Sequence, residues 1–238
     1  MIQTKHVNNA LVYYDDRYAN RWLDAVGSNV VKWELGVGVP KDDTTNDPSG
    51  LVNTEAGTNT ILSSTTAGDR LIITTGGTEY NGVNLQVHGS AFKLESGKPL
   101  YFGARIAVQN GAGKGDYLIG LCEVDTTLLA TASAHALAVV DDGVYFYMLQ
   151  AGTSMIFVNE LDGTEGKITA GALGSGAYHD VEFYFDGATL YAYFDGVAIG
   201  SVATGLAAVA LTPSINVRAG DDGAEIMYLQ WMKAIQVR

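Results

Sequence analysis

The sequence predicts an all-β fold: two antiparallel sheets stacked as a jelly-roll sandwich, with an irregular N-terminal extension. Three observations predict it. Segments that alternate apolar and polar residues, the period of a half-buried strand, recur along most of the 238 residues. Turn signals separate these segments roughly every 8–12 residues, which favours a sandwich or barrel over alternating α/β units. The chain also holds 29 glycines, 13 tyrosines and only 4 prolines, a composition suited to short strands joined by many turns.

Residues 1–68 are expected to form the extension. Its segment YYDDRYANRWLDAVGSNVVKWELG predicts a short helix around Tyr18–Val26, ended by Gly27. Trp22 and Trp33 are its largest apolar side chains and are expected to anchor it. The anchor point is either the chain's own sandwich or a neighbouring subunit. Residues 41–68 are rich in Asp, Thr, Asn, Ser and Gly, and read as an extended arm with one short strand at 60–64.

Residues 69–238 are expected to be the sandwich, with on the order of a dozen strands. RLIITT, NLQVH and AFKLE come first. In PLYFGARIAVQ, Phe102, Ala104, Ile106 and Val108 alternate with Tyr101, Gly103, Arg105 and Ala107, giving one buried face. YLIGLCEV is more continuously apolar, as a central strand is, and HALAVV, VYFYMLQ and SMIFVN follow. In 178–202, Asp186-Gly187 and Asp195-Gly196 read as hairpin turns, because primed turns need positive φ. Val181, Phe183, Phe185, Leu190, Ala192 and Phe194 then share the core face. INVRAG and the apolar EIMYLQWMKAIQVR end the chain, the latter expected to close against an early strand.

Composition excludes several functions. The net charge is −12, the pI is about 4.6, and the 14 basic residues are scattered, so no nucleic-acid footprint is present. The run LAAVAL at 206–211 is far too short to cross a membrane. MIQTKHVNNA lacks the features of a signal peptide, so synthesis in a reducing cytoplasm is expected. Cys122 is the lone cysteine and reads as a core residue rather than a catalytic thiol. His6, His88, His135 and His179 show no zinc spacing. Asp15-Asp16, Asp42-Asp43, Asp141-Asp142 and Asp221-Asp222 offer calcium-type oxygens but read as turn residues. GAGKGD lacks P-loop spacing. No catalytic residue, cofactor or metal ligand is therefore assigned.

The tyrosines are the candidate surface. Tyr184, Tyr191 and Tyr193 are expected on one face of adjacent strands, with Tyr145 and Tyr147 on a nearby alternation. Such a face simply meets water, or forms a subunit interface, or binds a glycan on its rings.

The segment YHDVEFYFDGATLYAYFDGVAIG resembles the late meander of the concanavalin A-like lectin/glucanase superfamily, which includes laminin G-like modules. KPLYFGARIAVQ, DYLIGLCEV and QWMKAIQVR resemble its middle and closing strands, so the likeness covers roughly 69–238. Its glucanase branch carries an ExDxxE strand motif that supplies two carboxylates. Here Glu123-Val124-Asp125 supplies the first half, but Leu128 stands where the second Glu belongs. The resemblance thus implies a non-enzymatic protein. FGARIAV, IGLCEVDTTLLA and the C-terminal VR also look like virion proteins of tailed bacteriophages. That likeness implies a capsid decoration (cement) protein in the virion, bound to a major capsid or other virion protein, as a homo-oligomer such as a trimer. A carbohydrate-binding module on a phage fibre or adhesin, with a glycan as ligand, is the alternative, and a glycoside hydrolase stands third.

Overall fold

The computed structural model describes residues 1–15, 21–35, 50–63, 71–110, 114–125, 135–137, 142–203, 205–206, 209–221 and 223–238. Among these there is no helix. In chain order the strands are β1 (Ile2–Val7), β2 (Ala10–Asp15), β3 (Trp22–Val26), β4 (Val30–Leu35), β5 (Leu51–Ala56), β6 (Thr60–Ser63), β7 (Leu71–Thr74), β8 (Gly82–Val87) and β9 (Leu100–Val108). They continue with β10 (Gly115–Cys122), β11 (Asp142–Met148), β12 (Ile156–Leu161), β13 (Thr164–Thr169), β14 (His179–Phe185), β15 (Leu190–Phe194), β16 (Val197–Val202), β17 (Thr212–Ala219) and β18 (Ile226–Val237).

Two large antiparallel sheets make the sandwich. One has seven strands in the order β13-β12-β11-β10-β17-β8-β5. The other has eight: β16-β15-β14-β9-β18-β7-β6, with β4 also paired to β18. Their inner faces follow the two-residue period of the sequence. Phe102, Ala104, Ile106, Val108, Val181, Phe183 and Phe185 come from one sheet, and Tyr117, Ile119, Val144, Phe146, Phe157 and Ile215 from the other. All lie in one buried cluster. Phe183 stacks on Phe102 at 4.9 Å and meets Phe157 of the opposite sheet at 6.0 Å. Burying each such side chain contributes about 1.5–3 kcal/mol.

The closing strand β18 sits inside its sheet. β9 runs along one side of it, while the other side pairs with β7 through Ile226–Leu229 and with β4 through Met232–Val237. Pairing with early strands removes an edge, as its apolar run requires.

The extension differs from expectation in two ways. Residues 22–26 form a strand, not a helix; residues 16–20 lie outside the described residues. A bulge explains the misleading spacing. Tyr14 pairs with Trp22 and Tyr13 with Asp24, so Leu23 is the extra residue. Trp22 and Ala25, three apart as on a helix face, thereby point the same way. The division at residue 68 is not respected by the sheets either. β4 and β6 belong to the eight-stranded sheet and β5 to the seven-stranded one, while only β1–β3 form a separate sheet.

The Asp-Gly signals resolve into two structures. Asp195 (φ 51°) and Gly196 (φ 75°) alone connect the paired Phe194 and Val197, a type I′ hairpin. Asp186-Gly187 instead opens a four-residue loop between the paired Phe185 and Leu190. There the Asp186 carboxylate accepts the amides of Ala188 (2.8 Å) and Thr189 (2.7 Å). A further two-residue hairpin, Asp162 (φ 48°) and Gly163 (φ 74°), joins β12 to β13.

Candidate functional site

The outer face of the eight-stranded sheet carries Tyr184, Tyr191 and Tyr193, which register brings together beside Tyr101 and Glu182. This face is covered by the chain's own small sheet. Ala10 and Val12 of β2 and Trp22 and Ala25 of β3 form one buried cluster with Tyr101, Tyr184, Ile235 and Val237, and Tyr191 and Tyr193 pack at its margin. Trp22 lies 5.4 Å from the Tyr184 ring. Trp22 is thus buried against the eight-stranded sheet of this same chain. Trp33 is elsewhere, packed from β4 against the main core.

Charge fastens the same contact. Glu182, 2% exposed, accepts the Tyr101 hydroxyl at 2.5 Å and pairs with Arg21 Nε at 2.6 Å. Arg21 and Arg105 both reach Asp180 at 3.3 Å. Lys233 Nζ donates to the Leu23 carbonyl at 3.1 Å. Burial pushes the Glu182 carboxyl above its ordinary range; Arg21 and the Tyr101 hydroxyl pull it back only in part.

Tyr145 and Tyr147 lie on the other sheet, facing away from this surface, so the five tyrosines do not form one face. Tyr145 is fully buried with Leu118, Cys122 and Val158, and its hydroxyl donates to Glu160 Oε2 at 2.6 Å. Burial, then that carboxylate, pushes its pKa far up. Tyr147 is half-buried, and it opens onto a cleft of about 460 Å³ that Gln150, Thr153, Ser154, Ile156 and Thr169 also line. That volume is within the range of small-ligand sites. Lys167 Nζ stands 6.0 Å from the Tyr147 ring centroid.

Further along this outer face lie polar side chains that are buried. Gln86 Nε2 donates to Ser214 Oγ and to the Glu123 carbonyl, both at 2.9 Å, and Gln86 Oε1 accepts the Asp125 amide at 3.0 Å. Asn84 donates to the Asp125 carbonyl at 2.7 Å. The half-motif Glu123-Val124-Asp125 is thus strapped to the sheet by its backbone. Leu128, at the broken position of the glucanase pattern, lies outside the described residues.

At the end of the sheet nearest the cleft, fully buried Asp116 organises a second constellation. Its Oδ2 binds Arg218 Nε (2.7 Å) and His135 Nδ1 (2.8 Å), and its Oδ1 accepts the Gln150 amide (2.7 Å). The His135 ring packs at a tilt against Tyr80, with centroids 4.9 Å apart, and its Nε2 faces Glu79 at 3.3 Å and Asp221 at 3.7 Å. Sequence spacing missed this group because its members come from strands and connections remote from one another in the chain. The one local sign was the Asp221-Asp222 pair, read as a turn.

No protein-family model matches the chain, and no curated protein matches it. Solved structures do resemble it. The carbohydrate recognition domain of Emp47p aligns over 87% of this chain and 95% of that one, with a TM-score of 0.58 and 11% identity. A protein of unknown function from Shewanella oneidensis MR-1 aligns over 89% and 88%, with a TM-score of 0.59 and 10% identity. The endo-β-1,4-glucuronan lyase of Trichoderma reesei aligns over 77% and 89%, with a TM-score of 0.51 and 9% identity. These likenesses show the fold alone: a two-sheet antiparallel β-sandwich of the concanavalin A-like kind.

Proposed function

We propose that this chain is a non-catalytic, lectin-like carbohydrate-binding module whose sugar subsite is the cleft beside Tyr147. The observation that carries this reading is the pairing of one accessible aromatic ring with amide and hydroxyl groups in a single concavity. A sugar ring offers an apolar C–H face to stack on the phenol and hydroxyls to bond Gln150, Thr153, Ser154 and Thr169. The other aromatic candidates are already engaged: Tyr184 and its neighbours under β1–β3, and Tyr145 on Glu160. The likeness to the Emp47p carbohydrate recognition domain supports the same reading. The reading as a virion decoration protein clamped to a capsid by its N-terminal arm stands second. The strands of that arm are engaged in sheets of this same chain.

A glycan array with the whole chain tests the proposal. A defined set of glycans is expected to bind, Tyr147→Ala to weaken binding by about tenfold, the loss of one stacking contact, and Tyr191→Ala to leave it unchanged. Binding to no glycan, or binding indifferent to Tyr147→Ala, would overturn it.

A further inference from the structure

We propose that Glu79, His135 and Asp221 form a binding site for one divalent transition cation of the zinc class. The site lies at the start of β10, at the opposite end of that strand from Glu123 and Asp125. It stands independently of the sugar reading.

The donor geometry comes first. One ligand atom from each of the three residues lies within 4.8 Å of the other two. His135 Nε2 is 3.3 Å from Glu79 Oε1 and 3.7 Å from Asp221 Oδ1. Donors roughly 2.0–2.2 Å from a tetrahedral zinc ion stand about 3.3–3.6 Å apart, so small adjustments bring these atoms onto a common ion. One imidazole nitrogen and two carboxylate oxygens form a zinc-type donor set with one position left open.

The surroundings point the same way. Buried Asp116 takes His135 Nδ1 at 2.8 Å and is itself fixed by Arg218. With the proton on Nδ1, directed at Asp116, the Nε2 lone pair faces the two carboxylates, the carboxylate–histidine arrangement that orients metal-binding imidazoles. In that tautomer the Nε2 lone pair and two carboxylate oxygens converge on one point, where a bound cation would satisfy all three. Gln150 adds a further sign. Its side-chain amide bonds Asp221, yet its Oε1 is buried without a hydrogen-bond partner. A half-turn of that amide presents the oxygen to the same point.

The experiment uses the full chain stripped with chelator and titrated with Zn²⁺ alone by calorimetry, with melting followed in parallel. One Zn²⁺ per chain and a raised melting temperature are expected. Glu79 and Asp221 are 40% and 64% exposed, so Glu79→Gln and Asp221→Asn keep the fold and are expected to weaken binding at least tenfold. His135→Ala should abolish binding. Asp116→Asn should weaken it roughly tenfold through loss of orientation. His179→Ala, which removes the other His–Asp pair, should change nothing. Absence of saturable Zn²⁺ binding would overturn the proposal and leave the cluster as a histidine hydrogen-bonded between carboxylates. So would binding unaffected by both Asp221→Asn and His135→Ala. Neither result touches the Tyr147 test, which reads sugar alone.

Discussion

Replacing Arg21 with Ala removes the positive partner of a carboxylate that has almost no water. Glu182 is 2% exposed and holds Arg21 at 2.6 Å, while the Arg21 side chain retains 20% exposure. Breaking a buried pair from one side costs about 3–5 kcal/mol, and the exposure of Arg21 places this case at the low end, about 3 kcal/mol. Loss of its position over Trp231, 6.0 Å from the ring, adds a few tenths at most. The effect is pH-dependent with a defined sign. Burial already raises the Glu182 carboxyl above its unfolded value, and Arg21 opposes that rise. Where the folded pKa lies above the unfolded one, the native state binds the extra proton, so stability falls as pH rises through that window. Without Arg21 the window extends upward. The Arg21→Ala deficit should therefore be largest on the alkaline side of the Glu182 titration and shrink as the pH falls toward the unfolded carboxyl value of 4.5. Urea denaturation of wild type, Arg21→Ala, Glu182→Gln and the double variant measures both the size and the coupling. Glu182→Gln should rescue about 2 of the 3 kcal/mol. A deficit below about 1 kcal/mol that is flat with pH would show that Arg21 does not hold Glu182, and the electrostatic account of how β1–β3 is fastened would fall.

Two further outcomes separate residues that share a sheet. Tyr145→Phe should cost about 1.5–3 kcal/mol, the worth of a hydrogen bond to a charged group, measured by urea denaturation, with glycan binding unchanged because Tyr145 does not reach the cleft. Cys122 is fully buried and its thiol pKa is pushed up, by burial first; a thiol reagent should label it only at the rate of unfolding, and fast labelling of the native chain would contradict its placement.

The strands of the C-terminal region were legible because one side of each faces a single core. The alternations in β9, β14 and β15 mark Phe102, Phe183 and Ala192 as inward, and they are. The N-terminal strands were harder to read for local reasons. The bulge at Leu23 gives Trp22 and Ala25 helical spacing. β5 is an edge strand, LVNTEA, whose polar composition suits an edge and resembles a loop. Asp162-Gly163 carried the same hairpin signal as Asp195-Gly196, but the charged strands around it lack clear alternation. The site was less legible still. Tyr145 and Tyr147 alternate along one strand like Tyr191 and Tyr193, and periodicity does not say which of two sheets a strand joins. Glu79, Asp116, His135 and Asp221 meet only through the order β10-β17-β8, a non-local pairing that no short spacing encodes.

Each sheet buries part of its outer face, but by different chemistry, and the difference bears on what each side can do. Over the eight-stranded sheet the contact is largely apolar, Trp22, Ala10 and Val12 against Tyr101, Ile235 and Val237, with one charged knot. Apolar contact resists separation but specifies position weakly. Over the seven-stranded sheet, Asn84 and Gln86 hold the backbone of Glu123 and Asp125, and Asp116 holds His135 and the Gln150 amide. Such bonds are directional, and each leaves a buried donor or acceptor stranded if the covering segment shifts. The first arrangement closes a surface, whereas the second sets side chains at fixed places on a rim. Recognition requires fixed groups more than it requires a closed surface, and this difference is why both proposals are placed on the side that carries Tyr147, Gln150 and His135.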